Sequence, residues 1–302
     1  MATAAELMQG LLDSMGDPLK DDDAAKHVTG ILYGESGGGK TVAALRLGVA
    51  ICEYLGPEAK VLHIDAVNAW RSLKNHPDLA KSDRITRMKY QGKTQLDTLA
   101  QALEAKVPEF INYKVIILDE ASSMTDLDGD TVLKAGAKAD STKDPDILTQ
   151  PDMGKTTERM RRTLYDLLAV EGISIIMVAH QRQDEDKQVG YKVTRPRFMP
   201  KFSGRIREGL DFVAHMSAVE GVRNGNEIQY VRQIQSHPTR AVVAKTRVGG
   251  LGLYETPERW NAGVIRWLNG DVGDAKINTI ADDIIPDVGS DNATDFSDAV
   301  ID

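Results

Sequence analysis

Residues 34–41 of this chain read Gly34-Glu35-Ser36-Gly37-Gly38-Gly39-Lys40-Thr41, and this stretch decides the fold. It fits the pattern GxxxxGK(S/T) between an apolar run at 27–33 and a helical pattern at 41–54. A strand, a glycine-rich loop and a helix in this order form a phosphate-binding loop, because glycines let backbone N–H groups approach a phosphate closely. We expect Lys40 to reach the β- and γ-phosphates of a nucleotide and Thr41 to hold Mg²⁺ through its hydroxyl.

A second motif lies at residues 115–120, which read Val115-Ile116-Ile117-Leu118-Asp119-Glu120. Four apolar residues followed by two acids predict a buried parallel strand that carries carboxylates at its C-terminal end. We expect Asp119 to act on Mg²⁺ through water, and Glu120 to orient and deprotonate an attacking water. Together with the glycine loop, the acidic pair indicates hydrolysis of a nucleoside triphosphate rather than nucleotide binding alone. It also argues against a small-molecule kinase, in which the phosphate acceptor is not water.

The composition is that of a folded α/β domain with small additions. The chain has 302 residues, which is long enough to bury a sizeable core. Apolar runs of about 18 residues are lacking, so we expect no transmembrane helix. Residues 1–16 lack the basic and apolar regions of a signal peptide, and the single cysteine, Cys52, fits a reducing cytosol and excludes paired-cysteine metal sites. We therefore expect a cytoplasmic protein.

The net charge of −8 is carried by one end of the chain. Residues 271–302 contain nine Asp and one Lys, a net of −8, so residues 1–270 are neutral. This tail is poor in aromatic residues and lacks periodicity, which predicts disorder. It is a docking segment for a partner protein, an electrostatic mimic of nucleic acid, or a solubilising extension.

The remaining patterns divide the chain into an appended segment at 1–26 with a short helix near 7–15, a main domain at 27–268 and the acidic tail at 269–302. In the main domain, further strands are predicted at 60–65, 114–119 and 173–179, and helices at 94–110 and 157–170. Residues 125–157 are polar and predict a long loop or partly ordered insertion. Three antiparallel strands are predicted at 211–220, 227–234 and 239–246, with a turn at Asn224-Gly225 between the first two.

This order of elements resembles the RecA-like P-loop NTPase core of the RecA/DnaB superfamily, an α/β fold with a mostly parallel central sheet and an antiparallel C-terminal extension. An AAA+ protein would instead follow its fourth strand with a helical lid. The resemblance covers residues 27–268 and is nearest to phage-encoded RecA-like ATPases of the single-strand-annealing and recombination type. It implies ATP and Mg²⁺ as cofactors and, for a phage protein, the host cytoplasm as the location.

Two features connect this resemblance to ATP. Gln181 ends the strand that follows the acidic pair, where these relatives have a polar sensor of the γ-phosphate. Residues 245–252 read Lys245-Thr246-Arg247-Val248-Gly249-Gly250-Leu251-Gly252 and resemble a KxRxGxxG segment. In the relatives, its Lys and Arg reach the γ-phosphate of a neighbouring subunit. The resemblance therefore implies that Lys245 and Arg247 act in trans, in a ring or filament with ATP at the subunit interfaces.

A third feature connects the resemblance to DNA. Residues 125–157 and 182–203 lie where RecA carries its two DNA-binding loops. The second loop mixes cations with aromatic residues, and its candidate DNA contacts are Lys192, Arg195, Arg197, Phe198 and Lys201. Cations that follow phosphates and rings that stack on bases suit single-stranded DNA. A solvated surface loop is the plain alternative.

The sequence departs from the RecA pattern at one position. RecA-type recombinases usually carry the catalytic Glu just after the second strand, where this chain reads Asp65-Ala66-Val67-Asn68. The general base is therefore either Glu120 or Asp65, and Glu120 is favoured because it adjoins the metal residue and has the longer side chain. The residue that stacks on adenine is left open among Tyr33, Trp70 and Tyr90.

From these observations we expect an ATP-dependent, RecA-like ATPase that binds single-stranded DNA and serves recombination, annealing or replication. One alternative is a translocating helicase or DNA-packaging motor on the same fold. Another is a nucleotide-switched annealing or loading protein with a slow ATPase. A further alternative is a RecA-like ATPase whose clients are proteins.

Overall fold

The computed structural model describes residues 26–144, 146–186, 190–198, 208–224 and 227–271. The predicted helix near 7–15, nearly all of the acidic tail and Lys201 lie outside these residues. The strands are β1 (Thr29–Gly34), β2 (Lys60–Asp65), β3 (Ile85–Lys89), β4 (Tyr113–Asp119), β5 (Ser174–Asp186), β6 (Tyr191–Pro196), β7 (Phe212–Asn224), β8 (Glu227–Gln235), β9 (Lys245–Thr246) and β10 (Tyr254–Glu255). The helices are α1 (Lys40–Leu55), α2 (Pro77–Ala80), α3 (Lys93–Glu104), α4 (Ala121–Ala139), α5 (Gln150–Leu168) and α6 (Pro257–Leu268), with a 3-10 helix at Ala69–Asn75.

The strands form one central sheet in the order β10-β8-β7-β1-β5-β4-β2-β3. Neighbours from β3 to β7 pair in parallel, whereas β8 is antiparallel to β7 and β10 is antiparallel to β8. The expected α/β fold with a mostly parallel sheet and an antiparallel extension is confirmed. In the sheet, β5 lies between β1, which leads into the glycine loop, and β4, which ends in the acidic pair.

The predicted antiparallel pairing of the strand at 211–220 with the strand at 227–234 is confirmed, and the strand has a parallel neighbour that the sequence does not predict. The corresponding strand, β7, runs parallel to β1, and only its pairing with β8 and β9 is antiparallel. Residues 212–214 and Met216 are buried, as expected for a strand covered on both faces. Of the predicted strand at 239–246, Lys245–Thr246 form β9. The β7–β8 hairpin pairs up to Asn224 and Glu227, and the turn itself lies outside the described residues.

Helices cover both faces of the sheet and close two apolar clusters. Side chains of α1 and α6 pack on one face, and side chains of α3, α4 and α5 pack on the other. Neighbouring residues of β1 alternate between the clusters, with Leu32 in the first and Ile31 in the second. Both residues are almost completely buried, so β1 is fixed from both sides. None of the helices in the described part of the chain combines the length and apolarity needed to cross a membrane.

The predicted loop at 125–157 is a helical hairpin formed by α4 and the start of α5. Thr149 and Asp152 form a capping box at the start of α5, in which each side chain satisfies a backbone N–H of the first turn. Arg159 donates two hydrogen bonds to the buried carboxylate of Asp128, both at 3.1 Å, and so ties the helices together. These contacts stabilise helices that the polar sequence alone does not predict, since helix stability in proteins comes largely from tertiary packing.

Helix α6, which sequence patterns did not predict, closes the core at the end of the domain. Thr256 caps its N-terminus, and Pro257 occupies the first turn. Trp260 is fully buried, meets Phe212 edge-on at a centroid distance of 4.9 Å and donates its indole N–H to Ser236 at 2.9 Å. Through this ring, α6 is anchored to β7, the strand beside the glycine loop.

We predict that Trp260→Ala lowers the free energy of unfolding by about 3–5 kcal/mol, because it opens a cavity between α6 and the sheet. Urea unfolding followed by far-ultraviolet circular dichroism measures the loss. Trp70→Ala is the matched control: that ring is 40% exposed, and its removal should change stability by about 0.5 kcal/mol or less. Equal losses in both variants would contradict the anchoring role of Trp260.

Candidate active site

The glycine-rich loop connects β1 to α1 as predicted. At two of its positions, steric constraints favour glycine over any other residue. A Cβ on Gly34 would lie 2.1 Å from the carbonyl oxygen of Met216, so β1 and β7 approach as closely as they do only without a side chain there. Gly39, the N-cap of α1, has a φ of 91°, which strains any other residue. Glu35, Ser36 and Gly37 are exposed, and Gly38 is half-buried. The loop is therefore open to a ligand in front of the helix N-terminus.

Lys40 is buried, with a carbonyl oxygen as its hydrogen-bond acceptor and carboxylates nearby. Its side chain is 6% exposed, and its Nζ donates to the carbonyl oxygen of Glu35 at 2.6 Å. Burial lowers the pKa of this ammonium, and the carboxylates of Glu120, Asp119 and Glu35 oppose that shift. Since phosphate oxygens carry charge and a carbonyl does not, a bound triphosphate competes well for this donor. Thr41 follows in the first turn of α1 and is half-buried.

Asp119 ends β4 at the same edge of the sheet. Its partners in the parallel ladders are Asp65 on β2 and Val178 on β5. One oxygen of its buried carboxylate, Oδ2, lies 3.0 Å from Nε2 of His63, which is itself fully buried. This histidine, which the motifs did not reveal, fixes the orientation of the acid. The register places Asp119 two strands away from the glycine loop, with β5 between them.

Glu120 is 3% exposed and is held by several donors. The backbone N–H of His180 donates to Oε1 at 2.7 Å, and Nε2 of the same residue lies 2.9 Å from Oε2. The hydroxyl of Ser123 donates to Oε2 at 3.1 Å. The carboxylate is therefore positioned between α4 and the end of β5. His180 precedes Gln181 in the sequence, and its role could have been suspected only from that position.

Asp65, the alternative general base, accepts hydrogen bonds from three backbone N–H groups. Its Oδ1 accepts hydrogen bonds from the N–H groups of Val67 and Ala69, each at 3.0 Å, and its Oδ2 accepts one from Trp70 at 3.2 Å. These bonds hold the start of the 3-10 helix at Ala69–Asn75. Backbone N–H groups thus occupy both oxygens of Asp65, whereas the partners of Glu120 include the side chains of His180 and Ser123.

Gln181 connects the glycine loop to β7. Its Nε2 donates to the carboxylate of Glu35 at 3.1 Å, and its Oε1 lies 2.8 Å from Nε2 of His215. A carboxylate only accepts, which fixes the amide orientation and requires His215 to donate from Nε2. Burial and the charge of Lys40 lower the pKa of His215 to about 4, so the ring is neutral at pH 7. The structure thus holds the amide N–H groups of Gln181 toward the phosphate loop.

Lys245 and Arg247 lie far from the glycine loop of their own chain. Strand β9 pairs with the first residues of β7, which lie beside Gly30 at the start of β1. The ammonium of Lys245 donates to the carbonyl oxygens of Glu208 and Leu210, and the guanidinium of Arg247 also donates to that of Glu208. Both side chains contact the backbone just before β7, at the N-terminal end of the parallel strands, whereas Lys40 lies at their C-terminal end.

The predicted DNA loop at 182–203 is in part a hairpin of β5 and β6. Arg195 lies 3.1 Å from a carboxylate oxygen of Asp184, and Arg197 donates to Asp126 at 3.1 Å. Lys192 is exposed. Phe198 is 4% exposed and packs in the apolar core, so the expectation that its ring stacks on bases is not met. Aromatic character alone does not distinguish a core ring from a surface ring.

Two of the three candidate residues for adenine stacking are also in the core. Tyr33 is fully buried and donates its hydroxyl to the carbonyl oxygen of Val243 at 2.6 Å. Tyr90 is 5% exposed. Trp70 remains at the surface, next to the backbone that Asp65 holds. Of the three candidates, Trp70 alone has a ring exposed enough to stack on a base.

The donors at this edge suit Mg²⁺ bound together with a nucleotide. Within the described ranges, no cluster of three or more His, Cys, Asp or Glu side chains could hold a metal ion by itself. Mg²⁺ usually takes one or two protein ligands and completes its shell with water and substrate phosphates. The hydroxyl of Thr41 and the carboxylate of Asp119 supply oxygen donors of that kind.

Comparison with known proteins identifies the family. A family model described as an AAA domain matches residues 26–248, which is most of the chain, and the chain belongs to this family. No curated protein matches the sequence. Membership in the AAA domain family implies a nucleotide-dependent ATPase of the P-loop type.

We predict that Glu120→Gln lowers the rate constant of ATP hydrolysis by about 10²–10⁴-fold, because the amide cannot accept the proton of the attacking water. ATP binding should be retained. Asp65→Asn should lower the rate by less than about tenfold and act mainly on stability, since it disturbs a backbone cap. Single-turnover hydrolysis separates these effects. A larger rate loss in Asp65→Asn than in Glu120→Gln would assign the base to Asp65.

The low pKa of His215 predicts a pH dependence of stability. Between about pH 6.5 and pH 4 the unfolded chain binds a proton at this residue while the folded chain does not, so folding becomes less favourable as the pH falls. His215→Gln should reduce the stability lost over this window by on the order of 1–3 kcal/mol. Urea unfolding at several pH values tests this. Parallel pH profiles for wild type and variant would contradict the assignment.

Proposed function

We propose that this member of the AAA domain family is a Mg²⁺-dependent, RecA-like ATPase that works on single-stranded DNA in recombination, annealing or replication, in the cytoplasm of a phage-infected host. The observation that carries the ATPase is the convergence of Lys40, Glu120 and Gln181 at one edge of the sheet. The RecA-like assignment is supported by the chain after β5, whose described part continues into β6 to β10 and α6.

The hydrolytic step follows from the positions of these side chains. Lys40 binds the β- and γ-phosphates, and Glu120 takes a proton from water as the water oxygen bonds to the γ-phosphorus. The bond from that phosphorus to the β–γ bridging oxygen breaks, and ADP leaves with the bridging oxygen. Thr41 and Asp119 would hold Mg²⁺, which would supply positive charge next to the phosphate oxygens. The donors that hold Glu120 keep its carboxylate in place for this transfer.

Gln181 is suited to report the γ-phosphate to a DNA-binding hairpin. It lies on β5 at the point where this strand leaves the parallel sheet and begins to pair with β6. Arg195 lies on β6, opposite Arg182 on β5. Gln181 and Pro196 form the first residue pair of this hairpin, so a new contact of the Gln181 amide would shift that pair. Such a connection would couple hydrolysis to the hold on DNA.

The positions of Lys245 and Arg247 support action in trans. From Gly30, the partner of Phe212, to Gly34 is about 13 Å at roughly 3.3 Å per residue, and these cations lie at the end of β1 away from the loop. They therefore face away from the nucleotide of their own chain. In a ring or filament they would meet the nucleotide of a neighbour and stabilise charge at its γ-phosphate.

The test is steady-state ATP hydrolysis with and without single-stranded DNA. We predict stimulation by DNA and complete loss of hydrolysis in Lys40→Ala. The triple variant Lys192→Ala, Arg195→Ala, Arg197→Ala should lose stimulation and DNA affinity, and its slope of log affinity against log salt should fall by about 2, because each phosphate contact contributes about 0.7.

The matched control is the triple variant Lys81→Ala, Arg87→Ala, Lys89→Ala, which removes the same charge from exposed positions at the far edge of the sheet, around β3. It should leave stimulation and the salt slope unchanged. An equal rate of ATP hydrolysis by wild type with and without single-stranded DNA would contradict the DNA assignment and favour protein clients. Strand displacement driven by ATP would favour a helicase.

A further inference from the structure

The order of the strands indicates how a bound nucleoside triphosphate is oriented in the site. Asp119 and Glu120 follow β4, and Gln181 lies on β5, both on one side of β1. These side chains serve the γ-phosphate, so the γ-end of the nucleotide points from the loop toward β5 and β4. The other end of the nucleotide, which carries the ribose and the base, must then leave the loop on the opposite side of β1. The strands on that side are β7 and β8.

A cavity of about 250 Å³ opens on that side. Its wall begins at Gly39 and Val42, at the N-terminus of α1, and continues along β8. Thr256 and Glu258, at the start of α6, close it. This volume lies just below the ~300–1,000 Å³ of pockets that hold a complete small-molecule ligand. It therefore suits one part of a nucleotide whose phosphates are held outside it, by the loop.

Two side chains of β8 give the cavity the chemistry for a nucleoside phosphate. The guanidinium of Arg232 borders the loop, since its Nε lies 2.8 Å from where a Cβ of Gly39 would stand. Arg232 is exposed, and no carboxylate in the described part of the chain pairs with it. Tyr230 lines the same cavity, with 66% of the side chain exposed. An exposed aromatic ring and an uncompensated cation together match a base and a phosphate.

A further ion pair shapes the far wall. Arg46, in the second turn of α1, lies 3.4 Å from Glu258 in the first turn of α6, so this exposed ion pair connects the two helices across the cavity. Both side chains line the cavity. The phosphate loop, β8 and α6 therefore meet around one space, and none of the motifs in the sequence pointed to it.

The geometry points to this cavity as the nucleoside subsite of the ATPase, with Tyr230 stacking on the base and Arg232 binding the phosphate nearest the ribose. The inference rests on the proposed function, because it assumes that a nucleoside triphosphate occupies the loop. It assigns to β8 the task that the candidates Tyr33 and Tyr90 cannot perform. Tyr230 and Arg232 are two residues apart on β8, so their side chains project to the same face of the strand and reach the same cavity.

The test compares the affinities of ATP and inorganic tripolyphosphate, measured by isothermal titration calorimetry on the full chain with Mg²⁺. Wild type should bind ATP at least about tenfold more tightly than tripolyphosphate, since only ATP carries a base. Tyr230→Ala should weaken ATP binding by about tenfold and leave tripolyphosphate within about twofold. Arg232→Ala should weaken both ligands. Tyr191→Ala, which removes another exposed tyrosine, is the matched control and should change neither.

The outcomes separate this subsite from the proposed function. Tight ATP binding that is equal in wild type and Tyr230→Ala would overturn the subsite and leave the ATPase intact. Equal affinity of wild type for ATP and tripolyphosphate would overturn it without any variant. Absence of binding of either ligand to wild type would overturn both the subsite and the ATPase.

Discussion

Because β1, β5 and β4 are adjacent and parallel, their carboxyl ends meet at one edge, and everything else at the site depends on that pairing. The register places Gly34 beside His180, and Asp119 beside Val178. A slip of one residue would turn every side chain of a strand to the other face. The pairing is secured by burial on both faces, which leaves strand residues such as Ile31 and Ile117 without exposed surface. The glycine loop and the acids are thus held together by the core.

The polar groups at this edge form one connected system. Lys40 lies among three carboxylates, and each of those acids also has a second partner or role. Burial penalises the ammonium while the acids stabilise it, so the charge of Lys40 is kept in place by their balance. Such a network costs free energy when one member is removed, because the remaining groups stay buried without partners. Binding of a charged ligand would redistribute these bonds rather than create a site from separate parts.

The sequence predicted the parts of the site that depend on local pattern. The loop, its flanking strand and helix, and the strand before Asp119 are each set by a run of neighbouring residues. The contacts of His180 with Glu120 and of His215 with Gln181 join residues distant in sequence, so no motif contains them. The polar pattern at 125–157 predicts a loop and not the α4–α5 hairpin, because these helices depend on distant pairs such as Asp128 with Arg159. The family comparison establishes that the chain contains an AAA domain. The RecA-like assignment and the DNA substrate are our proposals.

Mg²⁺-dependent binding of ATP, compared between wild type and Asp119→Asn by calorimetry, tests most directly whether the glycine loop and the end of β4 form one site. We predict that wild type binds ATP more tightly with Mg²⁺ than with a chelator present, and that Asp119→Asn loses most of this difference. The reason is that the proposed metal site takes one ligand from the loop, Thr41, and one from the end of β4, Asp119. An undiminished Mg²⁺ effect in the variant, or no Mg²⁺ effect in wild type, would contradict the account.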